Sequence, residues 1–273
     1  MDCFICNSKT EYYFSKTYSD SPCDEFMREI GEVDYYKCKH CGFVISKTHA
    51  ELPSYIWNKL NHDWHHFFEA QPATLKVCNQ PPYAEQAMML HLLSRQKIIN
   101  ASKWIDYAAG YGTLSKILKK YFDLELPIYD IYVKSNNELN YIEYPTEGDY
   151  NVVINSAMFE HVLNREDLDN VNRLVSPDGC LVIHTLVCEN IPKNSDWFYL
   201  APPVHSVFHT NKSMGILMEQ WGYHASIYSP KSKSWILLKS KELFTEKLST
   251  LNEELQAGWF YSKKGFVDYW KGF

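Results

Sequence analysis

The chain has no apolar run approaching 18 residues, so nothing in it reads as a membrane span. Its N-terminus, Met1-Asp2-Cys3-Phe4, lacks the basic and apolar regions of a secretory signal, which sets the expectation of a cytoplasmic protein. Cations are not in excess either: 27 Lys and Arg stand against 33 Asp and Glu, a formal net charge of −6. A general grip on nucleic-acid phosphates needs clustered Lys and Arg, so nucleic acid is not an expected partner. Internal repeats and low-complexity stretches are also missing. What remains is an ordinary folded composition, 45% apolar and 22% charged, over 273 residues, enough for one or two domains. Two surpluses stand out. Aromatics reach 15%, with 20 Tyr and 8 Trp. There are also eight Cys in a chain expected in a reducing compartment, where thiols are free, catalytic or metal-bound.

Four of the eight form two CxxC pairs, Cys3-Phe4-Ile5-Cys6 and Cys38-Lys39-His40-Cys41. A CxxC turn aims two thiolates at one metal, and a second turn completes the closed tetrahedron of structural zinc. Gly42 lets the second knuckle turn without a Cβ clash. A redox dithiol would open a helix in a βαβ unit, and neither pair has that setting. Cys3, Cys6, Cys38 and Cys41 are therefore the expected ligands of one zinc per chain, with Cys23 and His40 as substitutes. Cys180 reads as a core thiol; Cys78 and Cys188 are scattered. A four-thiolate site has no open position for catalysis. Its expected work is to staple residues 1–50, which bury too little surface to fold unaided.

Residues 51–100 read as a helical connector or lid, with an aromatic cluster at Trp57, Trp64, Phe67 and Phe68, a break at Pro81-Pro82, and a periodic run over 83–99. From residue 103 strands and helices alternate. Strands are expected at 104–107, 126–133, 151–155, 180–187 and 235–238, and helices at 114–121, 166–174 and 211–221. Ser176-Pro177-Asp178-Gly179 reads as a turn, and Gly222 as a helix C-cap. The expectation is an α/β fold: a Rossmann-like, doubly wound, mostly parallel sheet over 101–240, a small zinc-ribbon module before it, and a helical tail over 241–273. Such sheets bind ligands beyond the carboxyl ends of their strands.

The segment Trp104-Ile105-Asp106-Tyr107-Ala108-Ala109-Gly110-Tyr111-Gly112-Thr113 joins a strand to a helix. Small residues at 108, 110 and 112 let its backbone turn tightly against a ligand. It is a poor dinucleotide fingerprint, because Ser115 stands where the third glycine belongs. A diphosphate would also be repelled by Asp106.

The segment resembles motif I of class I S-adenosylmethionine-dependent methyltransferases, with Ala108 in place of the first glycine. The resemblance continues in order over about 103–228: Asp130 after Pro127-Ile128-Tyr129; Asp149 to Val162, with Glu160-His161-Val162; Leu174 to Ile183; and Pro203 to Tyr223. Cysteine knuckles ahead of such a domain are similar to the branch that methylates deoxysugars and other small molecules. The stretch between Asp130 and Asp149 is short, and so is the chain beyond 228, against the sugar C-methyltransferases of that branch.

The resemblance implies a methyl donor, S-adenosylmethionine, held by Asp106, Ala108, Gly110, Gly112, Asp130, Asn155, Met158 and Tyr83. Asp130 would accept from the ribose hydroxyls. It implies His161 as base for a hydroxyl or carbon acceptor, with Glu160 beside it and His205 on the acceptor side. The implied acceptor is a small molecule, a sugar or nucleotide-linked sugar. His205 and His209, four apart, are alternative ligands for a second metal if a helix carries both. Trp64, His65, His66, Phe67, Phe68 and Tyr83 form either a lid or core packing. Three other functions compete. An RNA or protein methyltransferase would use the zinc module as a grip, and residues 231–273 carry a net +3. A non-catalytic cofactor- or zinc-binding interaction module is the second, and a nicotinamide oxidoreductase the third.

Overall fold

The computed structural model describes residues 1–69, 81–133 and 140–268; Cys78 lies outside them. In chain order the first elements are β1 (Thr10–Lys16), α1 (Cys23–Met27), β2 (Val33–Cys38), β3 (Val44–Ser46), α2 (Lys47–Glu51), α3 (Ser54–Glu69) and α4 (Tyr83–Arg95). There follow β4 (Trp104–Tyr107), α5 (Thr113–Phe122), β5 (Ile128–Tyr129), β6 (Tyr150–Ser156), α6 (Arg165–Arg173), β7 (Val175–His184) and β8 (Val187–Cys188). The chain ends with β9 (Val207–Thr210), α7 (Asn211–Gln220), β10 (Ala225–Ser229), β11 (Ser234–Leu238), α8 (Thr245–Glu254) and β12 (Tyr261–Lys264). No helix among the described residues is long and apolar enough to cross a membrane. The chain divides into two compact units, and each holds one sheet.

The first unit comprises Met1–Asn79, Glu160–Asp167 and Leu186–Ser213. Its sheet has the order β1-β2-β3-β9-β8, antiparallel except for the β8–β9 pair. Strands β1, β2 and β3 all lie in the stretch expected as the zinc module. The run expected as one strand over 180–187 breaks after His184, and Val187–Cys188 pairs with His209–Thr210 here. Two of the five strands thus come from a stretch that the sequence reading placed inside the cofactor domain.

The core of this unit gathers Phe14, Tyr35, Val44, Leu60, Trp64 and Phe208, all buried. Phe14 stacks on Tyr35 at 5.0 Å. Trp64 lies on α3, one turn before Phe68, and their rings sit 4.3 Å apart. Phe26 meets the Trp64 and Phe67 rings edge-on at 5.3 and 5.7 Å. Trp64, Phe67 and Phe68 are therefore packing groups of this core. Burying an indole this fully is worth about 3 kcal/mol or more.

The second unit comprises Gln80–Phe159, Leu168–Thr185 and Met214–Phe273. Its sheet has the order β12-β10-β11-β7-β6-β4-β5. The pairs β7–β6, β6–β4 and β4–β5 are parallel, whereas β7–β11, β11–β10 and β10–β12 are antiparallel. The expectation of a mostly parallel sheet holds for the first set only, and the sheet is mixed. The cause is connection length. Only four residues join β10 to β11, enough for a hairpin and far too few for a parallel crossover.

Alternate strand residues are buried on both faces. Trp104, Val152, Ile154, Val182 and Ile236 pack with α4, α5 and α8 residues such as Leu93, Leu118 and Leu251. Ile105, Val153, Leu181 and Ile183, of opposite parity, are fully buried as well. The expected strand 126–133 shrinks to Ile128–Tyr129, extended sideways by a lone parallel bridge from Ile128 to Tyr141. The expected turn 176–179 is a bulge inside β7: Val175 pairs with Tyr150, and Cys180 with Val152. Gly222 sits at φ +72 as the expected C-cap. Beyond β11 the chain forms α8 and adds β12 to the sheet edge.

His49 of the first unit is fully buried; its Nδ1 lies 2.8 Å from Ser46 Oγ, and burial pushes its pKa down from 6.5 to about 4. The folded state thus holds it neutral, so its contribution is present above pH 6.5 and is lost as pH falls toward 4. At about 1.4 kcal/mol per unit this is on the order of 3 kcal/mol. Urea titrations between pH 7 and pH 4 should show that loss in the parent and a shallower loss in His49→Gln. Equal slopes would refute the assignment.

Candidate functional site

In the second unit, the loop between β4 and α5 takes left-handed backbone angles at Ala108 (φ 62), Gly110 (φ 53) and Gly112 (φ 69). Glycine adopts these freely, while Ala108 stores on the order of 1 kcal/mol of strain. The loop is tied down by its main chain. Ala109 N–H donates to Tyr129 O at 3.1 Å, and Gly112 N–H to Ala109 O at 2.9 Å. Gly110 N–H donates to Asp130 Oδ2 at 2.8 Å. The other oxygen of Asp130 accepts from the N–H groups of Tyr132 and Val133 at 2.8 and 2.9 Å. A carboxylate has about four acceptor sites, so Asp130 keeps capacity for a ligand hydroxyl while holding the loop.

Asp106 is 2% exposed, and its Oδ1 has no hydrogen-bond partner among the described residues. Burial, then repulsion from Asp130, pushes its pKa from 3.8 up to about 8. Asn155, at the carboxyl end of β6, donates to Tyr107 O at 3.0 Å and to Met158 Sδ at 3.1 Å. Its Oδ1 is buried without a partner, as is Gln86 Nε2 on α4. Ser156 Oγ donates to Gln86 Oε1 at 3.1 Å. Gln86, Met89, Leu114, Asn155, Ser156 and His184 gather around a narrow crevice near the carboxyl ends of β6 and β7. The sequence reading missed Gln86, whose neighbours Ala87 and Met89 made it one polar position on an apolar helix. Tyr83 opens α4 and packs, partly buried, against the core of this unit. Unpartnered buried acceptors at Asp106 and Asn155, with a buried donor at Gln86, fit a polar ligand bearing positive charge.

In the first unit, the four expected cysteines converge. Their sulfurs all lie within 4.8 Å of one another, with Cys3 to Cys41 at 3.7 Å and Cys6 to Cys38 at 3.5 Å. Four sulfurs at about 2.3 Å from one zinc would be about 3.8 Å apart, so the set fits such an ion. Gly42 has the expected positive φ, +74, and an added Cβ would meet Thr210 Cγ2 at 3.2 Å. Asn7 does the same for the first knuckle at φ 57; Asn is the non-glycine residue that best tolerates this region. That second turn residue was legible in the sequence and was overlooked. Cys23 stands apart, its thiol 3.5 Å from Ala201 O, and His40 is not in the cluster.

Glu160, His161 and His205 also meet in the first unit. The His161 and His205 rings are 5.1 Å apart, and His65 lies edge-on to His161 at 5.0 Å. Tyr199 OH donates to Glu160 Oε1 at 2.8 Å. Burial pushes the His205 pKa down to about 4. The alternative pairing of His205 with His209 fails. His209 lies in strand β9, fully buried, its ring 5.0 Å from Phe43, so no helix face carries the two imidazoles.

Residues 82–225, just over half of the chain, match the family model described as "Methyltransferase domain". No curated protein matches the chain. Among solved structures it is similar to the plantazolicin methyltransferase BpumL in complex with a monoazolic desmethylPZN analog and SAH. The identity is 11% over 67% of this chain and 90% of that one, with a TM-score of 0.42. It is also similar to a SAM dependent methyltransferase from Archaeoglobus fulgidus, at 15% identity over 66% of this chain and 94% of that one, with a TM-score of 0.39. By its sequence match, the chain belongs to the methyltransferase-domain family and is a methyltransferase.

Proposed function

We propose that this methyltransferase takes its methyl group from S-adenosylmethionine and passes it to a small-molecule acceptor. The observation that carries the reading is the left-handed loop at 108–112, flanked by buried Asp106 and clamped by Asp130. A buried acid in this place offers a diphosphate no counter-charge and favours a sulfonium with an α-ammonium group, which draws its proton off. The structural neighbours with bound SAH are consistent with that donor. The cofactor-binding set is Asp106, Ala108, Gly110, Gly112, Asp130, Asn155, Met158 and Tyr83, to which Gln86 is added. Transfer is an in-line displacement at carbon, in which the protein chiefly holds donor and acceptor in line.

The acceptor is proposed to be a sugar or nucleotide-linked sugar methylated at oxygen or carbon. The supporting features are the Tyr and Trp surplus, which suits sugar faces, and the resemblance to the zinc-module branch. Glu160, His161 and His205 are assigned to removal of the acceptor's proton. The four cysteines are assigned to a structural zinc, which would hold the two knuckles together and supply no chemistry to the transfer.

Labelled-methyl transfer from S-adenosylmethionine into size-fractionated cell extracts, with the product identified by mass, tests the reading. Label in a small sugar-bearing product is expected; label only in RNA or protein would overturn it. His161→Ala should still bind the donor but lose about 10²–10⁴-fold in turnover; an unchanged rate would remove His161 from the mechanism.

Asp106 gives a pH test. Its raised pKa keeps the carboxyl largely protonated at pH 7. Binding a cation draws the pKa down, so a proton leaves, and affinity should rise with pH up to about 8. Calorimetry at pH 7 in buffers of different ionisation enthalpy should detect that proton. Asp106→Asn should release none and bind about tenfold or more weakly. Proton uptake, or an equal release by the variant, would contradict the assignment.

A further inference from the structure

The first unit contains a group of side chains whose hydrogen bonding is arranged like the outer shell of a metal site. Glu160, His161 and His205 each offer one ligand atom, and all three atoms lie within 4.8 Å of one another. Both imidazoles are anchored through the same nitrogen. His161 Nδ1 lies 2.9 Å from Val204 O, and His205 Nδ1 lies 2.7 Å from Tyr199 O. A carbonyl can only accept, so each Nδ1 carries the proton and each Nε2 presents its lone pair. Metal-bound histidines are oriented by this kind of bond to a carbonyl. The carboxylate is oriented too, by Tyr199 OH, which donates to Glu160 Oε1 at 2.8 Å, while Ser206 N–H holds the main-chain carbonyl of Glu160 at 2.9 Å. One residue, Tyr199, therefore fixes both Glu160 and His205. Glu160 and His205 are 3% and 8% exposed, while His161 is partly open, so the group has a closed back and an accessible side.

We propose that Glu160, His161 and His205 form a second metal site, holding one divalent cation of the zinc class with an open position for an oxygen of the acceptor. Two imidazoles and a carboxylate are the donor set of catalytic zinc, which keeps a fourth place for water or substrate. Ligands at about 2.1 Å in a tetrahedron stand about 3.4 Å apart, so binding draws these three atoms inward. The site differs in kind from the thiolate cluster: it is open where the four cysteines are closed. Its use toward the acceptor rests on the preceding reading and deepens it. The ion would lower the pKa of a bound hydroxyl, and His161 would act as ligand, with the proton lost to solvent. Metal binding itself does not depend on that reading.

The test is equilibrium dialysis of the full-length protein against zinc, followed by metal analysis, with cobalt substitution as a spectroscopic check. Two ions per chain are expected in the parent. Glu160→Gln, which keeps the shape and the acceptor for Tyr199, and His205→Ala should each hold one. Cobalt in the proposed site should add visible d–d bands without the intense thiolate charge-transfer absorption of the cysteine site. One ion per chain in the parent, retained in Glu160→Gln and His205→Ala with circular dichroism unchanged and lost in Cys38→Ser, would overturn the proposal. A single ion that survives Cys38→Ser and is lost in Glu160→Gln would uphold it and overturn the structural zinc instead. If two ions bind and their removal leaves methyl transfer intact, the site stands and its use toward the acceptor falls.

Discussion

The second unit turns on one carboxylate. Asp130 stands just past β5 and accepts from three main-chain N–H groups, those of Gly110, Tyr132 and Val133. The first of these bonds reaches across to the loop that follows β4, so the bond joins the ends of two adjacent parallel strands. Hydrogen bonds to a charged acceptor are worth about 1.5–3 kcal/mol each, enough to offset the left-handed strain at Ala108. The same negative charge lies close enough to Asp106 to help keep that buried acid protonated. Asp130 therefore shapes the loop and adds to the effect of burial on the acid's protonation state.

Positive-φ residues and buried unpartnered polar atoms both occur around the proposed cofactor loop, as they do elsewhere in the chain. Ala108 and Ala157, both at positive φ, stand in the loops after β4 and β6. The buried, unpartnered atoms of Asp106, Asn155 and Gln86 lie in the same unit. In the first unit, main-chain carbonyls and one tyrosine hydroxyl orient Glu160, His161 and His205. The cysteine knuckles follow a related rule, each closed by a residue in the left-handed region, Asn7 and Gly42.

Much of this was legible in the sequence, for local reasons. The CxxC pairs, the small-residue loop and the strands at 104–107 and 151–155 are signals confined to short windows. Pairing partners are less legible. Nothing in Val187-Cys188 says that it leaves the sheet of its predecessor to lie beside His209-Thr210. Ser176-Pro177-Asp178-Gly179 has turn chemistry, and only the neighbouring Tyr150–Val152 register makes it a bulge rather than a strand end. The antiparallel β10–β11 hairpin could have been read from its four-residue connection. Long-range polar contacts such as Tyr199 to Glu160 leave no trace in composition or spacing. His205 reads in the sequence as an acceptor-side contact, and its alternative pairing with His209 needs a helix where the chain forms a strand.

The central claim is that the loop held by Asp130 is a site for a sulfonium cofactor rather than a dinucleotide. Calorimetric titration of the full-length protein with S-adenosylmethionine, S-adenosylhomocysteine, NAD and NADP tests it most directly. Saturation by both adenosyl compounds at one per chain, with no heat from either nicotinamide, is the predicted result. Saturable binding of NAD or NADP with none of the adenosyl compounds would contradict the account.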